Sequence, residues 1–273
     1  MTVAYSEPRQ RLADVVYLLG DPYVVQGGRR CAVPEGCKRL LAFVALQGRR
    51  VDRRHAAGSL WPDGSEGRAS GNLRSVLWRL RGAGIEVLES DKVSIYLRER
   101  TTTDLDSLCE WADRLIAGVA SESDLHVPDW TTTVAELLPG WYDEWVIFER
   151  ERIRQRMLHA LELLSRLLRN AGRYGEAIDA AMSAVAVEPL RESAHRVVVE
   201  AHIAEGNFIE ARRAFLSYRD LARSELGVEP SAAFQAALRP QPAGFAGERI
   251  RAESRAHNEG KLRLAASGES NTL

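Results

Sequence analysis

Gly172-Arg-Tyr174-x-x-Ala177 returns as Gly206-Asn-Phe208-x-x-Ala211, and Ala180 returns as Ala214, each pair 34 residues apart. A fixed period of this length restricts the fold severely. Each unit is a helical pair that can bury its apolar face only against its neighbours, with small residues where helices cross. Glu188-Pro189 and Glu229-Pro230 close the two segments, the second after a longer interval, so the last unit departs from a strict repeat. Residues 141–168 supply the preceding long helix or helix pair. Residues 104–240 are therefore expected to form an all-α array with a concave protein-binding surface. The plainer alternative is an array that packs on the front of the chain or dimerises.

Residues 12–103 have another grammar. Val15-Val-Tyr-Leu-Leu19, Tyr23-Val-Val-Gln26 and Cys31-Ala-Val33 are short β-prone runs punctuated by Gly20-Asp-Pro22 and Gly27-Gly28, which predicts a small antiparallel sheet. Three helical patterns follow. One covers 38–47 with Leu40, Leu41, Val44 and Ala45 inward and stops at Gly48. A second starts at Asp52 as N-cap and stops at Trp61-Pro62, and a third runs from about Ser65 to Gly82. Ile85-Glu-Val-Leu-Glu89 and Val93-Ser-Ile-Tyr-Leu97 then predict a hairpin about Ser90-Asp91. Val93, Ile95 and Leu97 should face in, and Ser94, Tyr96 and Arg98 out. A sheet, three helices and a hairpin is the order of a winged helix-turn-helix, whose third helix enters the DNA major groove.

The third helix carries the chemistry. In Asn72-Leu-Arg-Ser-Val-Leu-Trp-Arg-Leu-Arg81, Leu73, Val76, Leu77 and Leu80 share one face. The opposite face holds Arg68, Gly71, Ser75 and Trp78, flanked by Asn72, Arg74 and Arg79. Arginine can bond guanine bidentately, asparagine can do so for adenine, and further arginines can grip phosphates. Trp78 stands where a large aromatic is disfavoured unless it packs on something. Either it covers the wing or the rear domain, the preferred reading, or it meets sugar and thymine methyl groups. Lys92, Arg98 and Arg100 add positive charge to the hairpin. Arg49, Arg50, Arg53 and Arg54 cluster at the joint between the first two helices, within reach of phosphate. Taken singly, any of these arginines reads equally well as solvated surface.

Charge divides the chain the same way. The net charge of −1 conceals 17 Lys/Arg against 11 Asp/Glu in residues 1–100, and 15 against 23 in residues 101–240. A basic front suits a polyanion and an acidic rear suits protein contacts. Residues 241–273 turn to Pro, Gly, Ser, Glu and Arg, the composition of a disordered tail. Cys31 and Cys37 lack neighbouring histidines and, with Cys109, are expected to be free thiols of a reducing compartment. Neither a membrane-length apolar run nor a signal-peptide core is present, which points to the cytoplasm. The six histidines are scattered, and His195 and His202 share a helix face without a third ligand, so no metal is expected. With neither a phosphate loop nor a nucleophile elbow, the chain is expected to be no enzyme and to need no cofactor.

As an ordered set, Arg39-Leu-Leu-Ala-Phe-Val-Ala-Leu46, Leu60-Trp-Pro62 and the segment 72–81 in front make one half of a pattern. Leu138-Pro-Gly-Trp-Tyr-Asp-Glu-Trp145, Gly172-Arg-Tyr174, Glu188-Pro-Leu-Arg-Glu192 and Glu225-Leu-Gly-Val-Glu-Pro230 make the other. Over residues 15–240 the chain resembles SARP-type transcriptional activators, the antibiotic-regulatory class. The resemblance implies a multi-domain protein: an α+β winged helix-turn-helix (12–103) followed by an all-α, tetratricopeptide-like bacterial transcriptional activation domain (104–240). It further implies binding to promoter direct repeats by side-by-side protomers, that is, a homodimer on double-stranded DNA. Recruitment of RNA polymerase holoenzyme and control of secondary metabolism complete the expectation. The short wing, Glu89-Ser-Asp-Lys92, departs from strong minor-groove contact, and no acidic receiver domain points to control by phosphorylation. The competing reading is a scaffold that binds a protein through its repeats without specific DNA binding.

Overall fold

Strands β1 (Asp14–Tyr17), β2 (Tyr23–Gln26) and β3 (Arg29–Ala32) form the expected antiparallel sheet. Gly27 and Gly28, at φ 57° and 79°, make the two-residue turn between β2 and β3, a conformation that requires positive φ at both positions. These features come from a computed structural model, which describes residues 13–48, 50–128 and 137–238; Arg49 and the expected tail lie outside them. The sheet gains a strand that the sequence did not announce. β7 (Thr101–Thr103) pairs parallel to β1 at the edge, giving the order β3-β2-β1-β7.

Helix α1 (Glu35–Gln47) buries Leu40, Leu41, Val44 and Ala45 together with Cys37 and Phe43, and ends on Gly48 in the left-handed region. It starts three residues before the apolar periodicity does. α2 (Arg53–Leu60) is capped by Asp52, whose carboxylate accepts from the Arg54 and His55 amides at 2.8 and 2.9 Å. α3 (Glu66–Gly82) buries Ala69, Leu73, Val76, Leu77 and Leu80.

The hairpin consists of β5 (Leu88–Ser90) and β6 (Ser94–Leu97), and β4 (Val51–Asp52) joins it as a third strand beside β6. Two expectations are corrected here. The paired ladder starts at Leu88 rather than Ile85, although the Arg98 amide still donates to the Val87 carbonyl at 2.8 Å and both Ile85 and Val87 are buried. Val93 is 63% exposed rather than inward. Asp91 Oδ1 accepts from the amides of Val93 and Ser94, at 2.8 and 2.7 Å, and bends Val93 into the turn.

Behind β7, Thr103 and Asp106 form a reciprocal capping box for α4 (Asp104–Ile116). The Asp104 carboxylate accepts from the amides of Leu18 and Leu19 at about 3 Å, tying this helix to β1, and its burial pushes its pKa up. Residues 141–168 resolve into one helix, α5 (Glu144–Asn170). α6 (Tyr174–Val187), α7 (Glu192–Glu205) and α8 (Phe208–Leu226) follow. Gly172 and Gly206 take φ of 77° and 88° at the repeat turns, and Ala177, Ala180 and Ala211 are fully buried. The repeated aromatic is less faithful: Tyr174 is half-buried, whereas Phe208 is 64% exposed.

The described residues divide into two compact units, one ending at Tyr218 and the other starting at Arg219. In the first, one apolar core is continuous from Val16 through α1 and α5 to Ala201. Phe43 of α1 meets the edge of Trp145 at 5.2 Å, and the Leu138 amide donates to the Leu18 carbonyl at 3.1 Å. In the second unit, Ser231 caps the short helix α9 (Ala232–Ala237), and Arg223 pairs with Glu229. No helix among the described residues is long and apolar enough to cross a membrane.

Candidate nucleic-acid interface

The apolar stripe of α3 fixes which way its polar face points. With Leu73, Val76, Leu77 and Leu80 buried, Arg68, Arg74, Ser75, Trp78 and Arg79 are exposed, and Asn72 and Gly71 are half-buried at the margin. Trp78 is 74% exposed. It covers neither the wing nor the activator half, so the preferred packing role is corrected. A large aromatic opposite an apolar stripe is expected to be covered, and this one faces solvent instead. The Ser75 hydroxyl donates to the Gly71 carbonyl at 3.0 Å, back along its own helix.

Charge on this face is unopposed. Among the described residues, Arg68, Arg74 and Arg79 make no ion pair, and the sole acidic residue of α3 is Glu66 in its first turn. Arg54 pairs loosely with that Glu66, at 3.5 Å with both side chains well exposed.

The remaining expected contacts are partly committed elsewhere. Arg50 pairs with Asp91 and lies 3.9 Å from the Tyr96 ring centre. The amides of Ser94 and Val93, followed by Arg50, hold the Asp91 carboxyl below its usual range. Arg53 donates from its backbone to the Val93 carbonyl at 2.8 Å, and its guanidinium stands 3.4 Å from the Asp91 carbonyl. Arg98 bridges Glu86 and Glu89, each at 3.3 Å, so its charge is already neutralised. Lys92 is exposed at the tip of the wing. α3 thus presents Arg68, Asn72, Arg74, Ser75, Trp78 and Arg79 together, while Arg50, Arg53 and Arg98 brace the wing.

Beside α3 lies a crevice of about 360 Å³ bordered by Gly36, Arg39, Trp61, Asn72, Ser75 and Arg79. Sequence reasoning missed Arg39 as a polar wall of this crevice, because it sits within an apolar helical run whose only visible signal was core.

Residues 108–239 match the family described as bacterial transcriptional activator domain. The solved structure "Mycobacterium tuberculosis EmbR in complex with low affinity phosphopeptide" has a similar fold, with a TM-score of 0.64 and 18% identity over 93% of this chain and 71% of that one. No curated protein sequence matches the chain. The activator-domain match behind a small sheet, three helices and a wing agrees with the resemblance to SARP-type activators and supports a role in transcriptional activation.

Proposed function

We propose that the protein is a sequence-specific DNA-binding activator that lays the outward face of α3 in the major groove of promoter DNA. The observation that carries this reading is the set of exposed, unpaired arginines on α3, set against α5, where every arginine from Arg150 to Arg169 is held by a carboxylate or a carbonyl. Arg74 and Arg79 are the candidates for guanine, Asn72 for adenine, and Trp78 for sugar and thymine methyl contacts. Arg54, Arg68 and Lys92 are the candidates for phosphates on either side.

The resemblance adds the remainder: direct repeats occupied by side-by-side protomers, contact of the activator domain with RNA polymerase holoenzyme, and target genes of secondary metabolism. Fluorescence anisotropy with upstream promoter duplexes at several salt concentrations tests the core of this reading. Affinity should fall steeply and linearly on a log–log plot as phosphate charge is neutralised. Binding that is absent from every duplex, or indifferent to salt, would leave the protein-binding scaffold in its place.

A further inference from the structure

The crevice bordered by Gly36 and Arg79 brings two guanidinium groups to one edge of the proposed DNA surface, Arg79 from α3 and Arg39 from α1. A Cβ on Gly36 would stand 3.0 Å from Arg79 Nη1, so the bare backbone there lets that guanidinium lie across the start of α1. Arg39 is half-exposed. Its Nη1 donates to the Leu60 carbonyl at 3.1 Å and its Nη2 to the carboxylate of Asp143.

Asp143 occupies the N-cap position of α5. An aspartate there ordinarily accepts the free amides of the first turn. This one makes no side-chain cap bond; its carboxylate is turned to Arg39 instead. The same carboxylate thus has two possible employments, one on each side of the junction between the front fold and the activator domain.

We propose that the crevice seats a backbone phosphate of bound DNA between Arg39 and Arg79, and that this phosphate displaces Asp143 from Arg39. The inference rests on the DNA-binding reading above. The exchange swaps one anion for another on the same planar fork, which suits phosphate oxygens as well as a carboxylate. Released, Asp143 can cap α5, where the unsatisfied amides and the positive end of the helix dipole favour a negative charge. Occupation of the crevice and the start of the activator domain's long helix are thereby coupled, and the coupling works in both directions. Asp143 acts as a built-in competitor that weakens DNA binding.

The test uses the full chain and a promoter duplex in salt-titrated anisotropy. Asp143→Asn removes the competing charge and can still cap the helix. It should bind DNA about fivefold more tightly, the size of one exposed ion pair. Arg39→Gln should bind more weakly, and adding Asp143→Asn to it should give no further gain. Gly36→Ala, which crowds Arg79 without touching Asp143, should also weaken binding. Circular dichroism and thermal melting confirm that each variant folds. A folded Asp143→Asn variant with unchanged or weaker affinity, or a gain that survives in Arg39→Gln, overturns the seat while leaving the DNA reading intact. Wild-type protein that binds no duplex overturns both.

Discussion

The arginines of α3 and those of α5 put one side chain into opposite circumstances. On α5, Arg152 and Arg154 pair three residues back with Glu149 and Glu151, Arg156 reaches Asp113 on α4, and Arg169 reaches Glu200 on α7 at 2.6 Å. Arg150 donates to the carbonyls of Leu137, Leu138 and Trp141. On α3, the arginines project from a well-anchored helix and meet no carboxylate among the described residues. Arginines inside an ion-pair lattice hold elements together, whereas arginines kept apart from acids remain available to an outside anion. The run Glu149–Arg156 pairs its ions three residues apart along α5 and, through Arg154 and Arg156, reaches Glu188 and Asp113 outside the helix.

Substitutions can break this contrast from either side. The largest effect should come from Arg191→Ala. Arg191 Nε donates to Glu162 at 2.7 Å, and Glu162 is only 5% exposed, so its loss strands a buried carboxylate. Ser193 and Arg166 remain near it, which limits the expected loss to about 3 kcal/mol in denaturant unfolding. Arg150→Ala should cost about 2 kcal/mol, since three carbonyls lose a charged donor.

A smaller, pH-dependent effect is expected for Asp124→Asn. Asp124 accepts from Arg114 and from Ser121, and these contacts, Arg114 first, hold its carboxyl well below the usual range. A carboxyl lowered on folding contributes stability above its unfolded pKa of about 3.9 and loses it as the pH falls further. The stability gap between wild type and Asp124→Asn should therefore be full at neutral pH and shrink in melts below about pH 4. Smallest of all, Arg74→Ala should leave stability within about 0.5 kcal/mol, because its side chain is exposed and unpaired. A loss comparable to that of Arg150→Ala would erase the distinction between the two helices.

Local rules made much of the architecture legible. The apolar stripe on α3, the Asp52 cap and the glycines at 34-residue spacing each fix a local conformation, and all three hold in the structure. What escaped notice depends on partners distant in sequence. β7 is three β-branched threonines, too short a run to announce a strand without its pairing to β1, and β4 is two residues beside β6. Arg39 and Asp143 stand 104 positions apart, so no window of sequence could join them. Trp78 was misjudged because its exposure contradicts the habit of large aromatics, and it is that same exposure which leaves it free for an external contact. Among the candidate contacts, the α3 residues were readable from helical periodicity. The neutralisation of Arg98 was not, since Glu86 and Glu89 oppose it only once the hairpin register is set.

Base-by-base scanning of an operator with wild-type protein and with Arg74→Ala tests the central claim most directly. If α3 reads the major groove, wild-type affinity should fall by about 1–3 kcal/mol at each contacted base pair, and the variant should lose sensitivity at one of those positions while keeping the others. An identical profile for the two proteins, at equal affinity, would contradict the assignment of this face to DNA.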